Sequence, residues 1–236
     1  MAPQSGPTHF LCIPLVNGDS RPQLMASLSS FKADVTSPDS FGIPATAIRP
    51  LGTIHLTLGV MSLPTDNDLE RAIAFLKTLE PQTILSSIIK GAATTTVDPG
   101  SAHSLSITLR GLQSMHPPSN TSVLYAAPVD AEGTLFKFCE ALQSRFQDAG
   151  LISKQERPLK LHATILNTIY VKGKKQPGGK RGKKLGIDAH GILDRYDDFV
   201  WMEDVPVEKI AICKMGAEKQ EDGDEAYKVV GENPLI

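Results

Sequence analysis

The stretch Thr53-Ile-His-Leu-Thr-Leu-Gly-Val-Met61 decides how this chain is read, because Lys160-Leu-His-Ala-Thr-Ile-Leu-Asn-Thr168 repeats its pattern. Each holds His-x-Thr followed by a hydrophobic residue inside an apolar, strand-like run. In a strand, residues i and i+2 share a face. His55 and Thr57 therefore point one way, and Ile54, Leu56, Leu58 and Val60 the other. His162 and Thr164 likewise oppose Leu161, Ala163 and Ile165. A polar pair in an apolar run is costly unless it is partnered or used. One such pair, in a chain with six histidines, is most simply a satisfied core histidine and a strand threonine. Two in matching context favour a shared site. Facing one cleft, they would supply an acid, a base and two hydroxyl donors for phosphate oxygens.

Composition narrows the setting. The chain has 236 residues, 41% hydrophobic and 21% charged, with net charge −2, enough for a sizeable core without a general attraction to nucleic acid. Cys12, Cys139 and Cys213 are scattered and form no C-x-x-C, which argues against a disulfide framework or a zinc site and suits a reducing compartment. No run approaches the roughly 18 apolar residues of a membrane span. A soluble protein of the cytoplasm or nucleus is expected, with no membrane partner, no cofactor and a monomeric state.

Outward from the motifs, strands are expected at 10–16, 104–112, 122–128, 207–215 and 226–231. Helices are expected at 21–35, from Thr65 or Asp66 to Leu79, at 82–90, 132–149 and 187–199. Asp19 or Ser20 is the expected cap of the first. The helix at 132–149 is the most strongly patterned, with Leu135, Phe138, Cys139, Leu142 and Phe146 on one stripe. Residues 1–8 read as a short disordered terminus. Residues 172–184 hold seven basic residues and four glycines in thirteen, and read as a flexible basic loop: a plain solvated linker, a phosphate-attracting arm or an import signal. The connection 216–225 reads as acidic and exposed. Hairpins alternating with helices, without a Gly-rich phosphate loop, give an α+β protein of two similar halves, one motif in each, 107 positions apart.

His55-Leu-Thr-Leu58 and His162-Ala-Thr-Ile165 resemble the paired motifs of the 2H phosphoesterase superfamily. The block from Phe41 to Leu63 is similar to the central domain of A-kinase anchoring proteins of the gamma/delta type. The block 160–168 is similar to the C-terminal domain of activating signal cointegrator complex subunit 1. The resemblance implies a single bilobal domain over 1–236. Its two antiparallel sheets would form a concave groove, with helices outside and pseudo-twofold symmetry. It implies metal-independent phosphodiester chemistry on RNA ends or small nucleotides, at 2′,3′-cyclic phosphates or at 2′,5′ or 3′,5′ linkages. His55 and His162 match the catalytic histidines, and Thr57 and Thr164 the phosphate-binding hydroxyls. The alternative is a module of the same fold that binds nucleotide or RNA without turnover. The relatives' own protein partners are not expected to carry over, because neither the RNA-binding module of the one nor the kinase-binding helix of the other is recognisable here.

Two further residues are candidates for substrate contact. Lys214, on a late strand, would offset phosphate charge, against the plain alternative of a surface lysine. Tyr125 would stack a base, against the plain alternative of a half-buried strand tyrosine. Metal ligation by the two histidines is the rival reading, disfavoured because neither motif carries a carboxylate or a thiol.

Overall fold

A computed structural model describes residues 6–92, 104–154, 157–171 and 185–235. The basic segment 172–184 lies outside them. The elements run β1 (His9–Pro14), α1 (Ser20–Thr36), β2 (His55–Met61), α2 (Asp66–Thr78), α3 (Pro81–Ala92), β3 (Ser106–Ser114), β4 (Val123–Pro128) and α4 (Thr134–Asp148). They continue with β5 (Ala163–Asn167), α5 (His190–Arg195), β6 (Val200–Pro206), β7 (Lys209–Lys214), β8 (Glu218–Lys219), β9 (Glu225–Ala226) and β10 (Val229–Pro234).

Two four-stranded sheets result, ordered β10-β7-β1-β2 and β5-β4-β3-β6, with every pairing antiparallel. They match position for position. In each, a strand leads through a helix to its own antiparallel neighbour: β1-α1-β2 in the first sheet and β4-α4-β5 in the second. That neighbour carries the His-x-Thr motif and forms the sheet edge. The pseudo-twofold expectation holds in this sense, but the sheets are not successive halves of the chain. The first takes β1 and β2 from the beginning and β7 and β10 from the end. The hairpin β7–β10 covers the edge of β1 that would otherwise be open, and an uncovered edge invites pairing with other chains.

The helices tie the two units together. α1 packs on β6 of the second sheet, α2 on β10, and α4 reaches β2. The Gln143 amide donates to the Leu58 carbonyl at 2.6 Å. One core spans both sheets, with Leu11, Leu56, Leu58 and Ile212 from the first and Leu109, Leu124, Ile165 and Leu166 from the second. All five residues of the expected α4 stripe are buried in it. Burying residues of this size contributes roughly 1.5–3 kcal/mol each.

Local chemistry explains the element ends. Thr65 caps α2 through a capping box: its hydroxyl accepts from the Asp68 N–H while the Asp68 carboxylate accepts from the Thr65 N–H. At α1 Asp19 stands at the N-cap as one of the two expected residues, but its side chain makes no capping bond. The Asn17 side chain accepts from the Asp19 and Ser20 N–H groups, and the Ser20 hydroxyl accepts from the Asn17 N–H. The alternation of β2 slips after Leu58, where Leu11 pairs with Gly59 and Cys12 with Thr57. This bulge turns Val60 outward, to 37% exposure, against the expected inward face. Gly59 itself is needed for close approach, since a Cβ there would stand 2.5 Å from Ile152 Cδ1.

Two further expectations are corrected and one is refined. The helix over 187–199 shrinks to α5, and the strand β6 that follows went unread. The connection after β7 is exposed over most of its length, as expected, and it folds as the β8–β9 hairpin, where the Asp224 carboxylate accepts from the Gly52 N–H at 2.8 Å. Thr8 is not part of a disordered terminus, because its N–H donates to Met61 and its carbonyl accepts from Met215. Among the described residues no helix is long and apolar enough to cross a membrane.

Candidate functional site

The edge strands β2 and β5 approach one another, and His162 is near enough for its charge to act on His55. The chain just before β2 holds the two strands together. Ile48 bridges to Leu166, and the Arg49 N–H donates to the Ile165 carbonyl at 2.9 Å. A short 3-10 turn over Leu51–Thr53 then leads into His55.

Both histidines are oriented by the same device. His55 Nδ1 lies 2.7 Å from the carbonyl of Thr53, and His162 Nδ1 lies 2.8 Å from the carbonyl of Lys160. A carbonyl only accepts, so Nδ1 donates in both rings and each Nε2 is left for chemistry. His55 Nε2 lies 2.9 Å from the Thr57 hydroxyl, which donates to it. His55 packs against Phe10, with ring centroids 4.8 Å apart, and against Tyr227, 5.3 Å away and edge-on. His162 meets the ring of Tyr125 edge-on at 5.5 Å. Beside His55 lies a cavity of about 200 Å³ lined by Phe10, Cys12, Pro14, Lys209, Tyr227 and others. Among the described residues no group of three or more His, Cys, Asp or Glu side chains is placed to hold a metal ion.

The model of one protein family, described as the AKAP7 2′5′ RNA ligase-like domain, matches residues 7–235, almost the whole chain and both motif strands. The chain belongs to this family. It is a 2H phosphoesterase family, so both resemblances drawn from the motif blocks are matched. The Schizosaccharomyces pombe protein C15D4.13c is 28% identical over 229 residues, which span 96% of this chain and 95% of that protein. Activating signal cointegrator 1 complex subunit 1 of Mus musculus is 26% identical over 171 residues, 67% of this chain and 45% of that protein. Among solved structures, TT0787 of Thermus thermophilus aligns with TM-score 0.53 at 17% identity, covering 97% of both chains. Escherichia coli LigT complexed with 3′-AMP aligns with TM-score 0.51 at 16% identity, covering 98% of both. Likeness at these identities concerns the fold: the two antiparallel sheets of this family member follow the LigT-like arrangement.

The two remaining candidates take other positions in this 2H phosphoesterase fold. Lys214 pairs with His9, at the opposite end of β1 from the residue facing His55. Five residue steps along β1 separate the two rows, roughly 17 Å at 3.3–3.4 Å each. The β7 lysine in the His55 row is Lys209, which pairs with the Glu232 carboxylate at 2.7 Å. Tyr125 is 2% exposed, and its hydroxyl donates to Gln113 at 2.8 Å. It offers no open face to a base. Its ring instead supports His162 and carries the Lys160 ammonium 4.6 Å above its centroid.

Reading the sequence also missed Arg49 and Tyr227. The Arg49 guanidinium lies 4.0 Å over the ring of Tyr170 and donates to the Tyr227 hydroxyl at 3.3 Å. Arg49 opens the turn-like Arg49-Pro-Leu-Gly52 stretch just before the motif strand, which was its only trace. Tyr227 gave none.

The electrostatics of the two imidazoles differ. Burial lowers the His55 pKa to about 4, opposed by its bond to the Thr53 carbonyl and reinforced by the nearby charges of His162 and Arg49. His55 is therefore neutral at physiological pH, with its Nε2 lone pair accepting from the Thr57 hydroxyl until a ligand draws that hydroxyl away. A linkage follows. The folded state holds His55 below its ordinary value of 6.5, so this contribution to stability is complete above pH 6.5 and is lost as pH falls towards 4. The loss expected across that window is about 3 kcal/mol. Chemical denaturation at stepped pH checks it: His55→Asn should flatten the curve, and an unchanged slope would contradict a desolvated, neutral imidazole.

Proposed function

We propose that this domain is a metal-independent phosphodiesterase acting on RNA ends or small nucleotides. The observation that carries the reading is the duplicated anchoring of the histidines. Two edge strands each clamp Nδ1 on the carbonyl two residues back, and each carries a threonine two residues on. His55, neutral, is the base. Its Nε2 takes a proton from the attacking hydroxyl or water as the oxygen bonds to phosphorus. His162 is the acid and gives the Nε2 proton to the oxygen that leaves. The Thr57 hydroxyl turns from His55 Nε2 to the incoming phosphate, freeing that nitrogen, and Thr57 and Thr164 then donate to the non-bridging oxygens, where charge accumulates. The leaving and entering oxygens lie in line, one towards each histidine.

Nucleotides suit the groove because it combines imidazoles and an arginine with aromatic walls. The LigT structures hold 3′-AMP and NADP+, which supports a nucleotide ligand here. The second reading, a groove that binds nucleotide without turnover, shares the same contacts and differs only in rate.

Metal independence is tested with a chelator. Hydrolysis of a 2′,3′-cyclic nucleotide should proceed at an unchanged rate in EDTA. A rate lost in EDTA and restored by a divalent ion would contradict the roles given to the two imidazoles.

A further inference from the structure

Arg49 is a buried arginine with no acid partner among the described residues. It is 7% exposed. The ion pairs among the described residues are Arg110–Asp198, His190–Asp188, Arg195–Asp34 and Lys209–Glu232, and Arg49 belongs to none. A charge withdrawn from water without a counter-ion is expensive, and the usual compensation is a carboxylate. Here the guanidinium rests face-on against Tyr170, and one nitrogen donates to the Tyr227 hydroxyl. The two tyrosines thus hold the cation from two sides, Tyr170 against its face and Tyr227 at one nitrogen. Stacking occupies the face of the guanidinium and leaves its in-plane N–H groups as the remaining donors. Such an edge matches two oxygens of one phosphate.

Position selects the ligand. The Arg49 N–H is bonded to Ile165, the neighbour of Thr164, and its charge is felt by His55. Arg49 therefore links the two motif strands: its N–H bonds to β5, and its guanidinium meets Tyr227, whose ring stands edge-on to His55 at 5.3 Å.

We propose that Arg49 is a third phosphate-binding residue of the groove, taking two non-bridging oxygens of the phosphate that Thr57 and Thr164 hold. This rests on the phosphodiester reading of the site. The anion completes the arginine's missing ion pair on binding, so the cost of the unpaired charge is relieved only when a phosphate is present. The ligand class that follows is one with an accessible phosphate between the motifs, whichever base it carries.

The test measures binding, so it does not depend on turnover. Adenosine 3′-monophosphate is titrated into wild type, Arg49→Gln and Arg49→Lys by calorimetry, and adenosine is followed by NMR as the phosphate-free control. Arg49→Gln should weaken the monophosphate about thirtyfold or more, with adenosine unchanged. Arg49→Lys keeps the charge without the planar fork and should fall between. Equal monophosphate affinity in wild type and Arg49→Gln overturns the proposal, as does an equal loss for adenosine, which marks a structural role only. If Arg49→Gln does not fold, Arg49→Lys decides: a loss of about tenfold supports the fork, and wild-type affinity overturns it. Failure of the arginine with turnover intact refutes this proposal alone. A wild type that binds no monophosphate refutes the phosphate site as well.

Discussion

His55→Ala is expected to lower kcat/KM on a cleaved phosphodiester by about a thousandfold, and His162→Ala by a similar factor. Together they should cost little more than either alone, because acid and base act in one transition state and such effects do not add. The two single variants should still be distinguishable. In the wild type the base is protonated only near pH 4, so the rate should hold as pH falls from 7 and decline on the acid side towards 4. That acid limb belongs to His55 and should vanish from the residual activity of His55→Ala, yet persist in His162→Ala. Steady-state kinetics across pH 4–9 measures this. An acid limb unchanged in His55→Ala would reverse the roles of the two residues.

Trp201→Ala should destabilise the protein by about 3–5 kcal/mol. Trp201 is 1% exposed on β6, edge-on to Phe31 at 5.1 Å and to Phe199 at 4.9 Å, and stacked on Tyr196 at 6.3 Å. Its indole N–H donates to the Gly111 carbonyl at 2.8 Å. That carbonyl belongs to an irregular turn of β3, where φ of Gly111 is +71° and a Cβ would stand 2.5 Å from the Asp197 carbonyl oxygen. The substitution removes the largest ring of an aromatic cluster and orphans this acceptor. Denaturant unfolding followed by far-UV circular dichroism gives the value. A loss under 1 kcal/mol would mean that the cluster collapses onto the space, which the close ring packing argues against. Trp201→Phe keeps most of the volume and should lose clearly less.

The two histidines and Trp201 also mark what the sequence can and cannot reveal. The His-x-Thr pairs were legible because strand alternation is a local rule, and it puts His and Thr on one face without reference to the rest of the chain. The α4 stripe was legible for the same reason at helical period. The strand that holds Trp201 was not. Glu203 and Asp204 interrupt its apolar residues, Asp204 adopts φ +50°, and the preceding Ile192, Leu193 and Tyr196 carry a helical rhythm that was extended too far. The site beyond the motifs was also hidden, because long-range pairing assembles it. Tyr227 meets Arg49 across 178 positions only because the last hairpin returns to flank β1. Lys214 and Tyr125 were misplaced by the same gap. Being on a suitable strand says nothing about which row or which layer the side chain occupies.

The most direct test of the central claim is turnover of a small panel in EDTA by wild type and by the His55→Ala/His162→Ala double variant. The panel holds a 2′,3′-cyclic nucleotide, a 2′,5′-linked dinucleotide and short RNAs with either 3′ end. Two anchored imidazoles acting as base and acid predict that at least one member is cleaved by wild type and left intact by the double variant. Equal turnover by both proteins, or none by wild type while it still binds nucleotide, would contradict it.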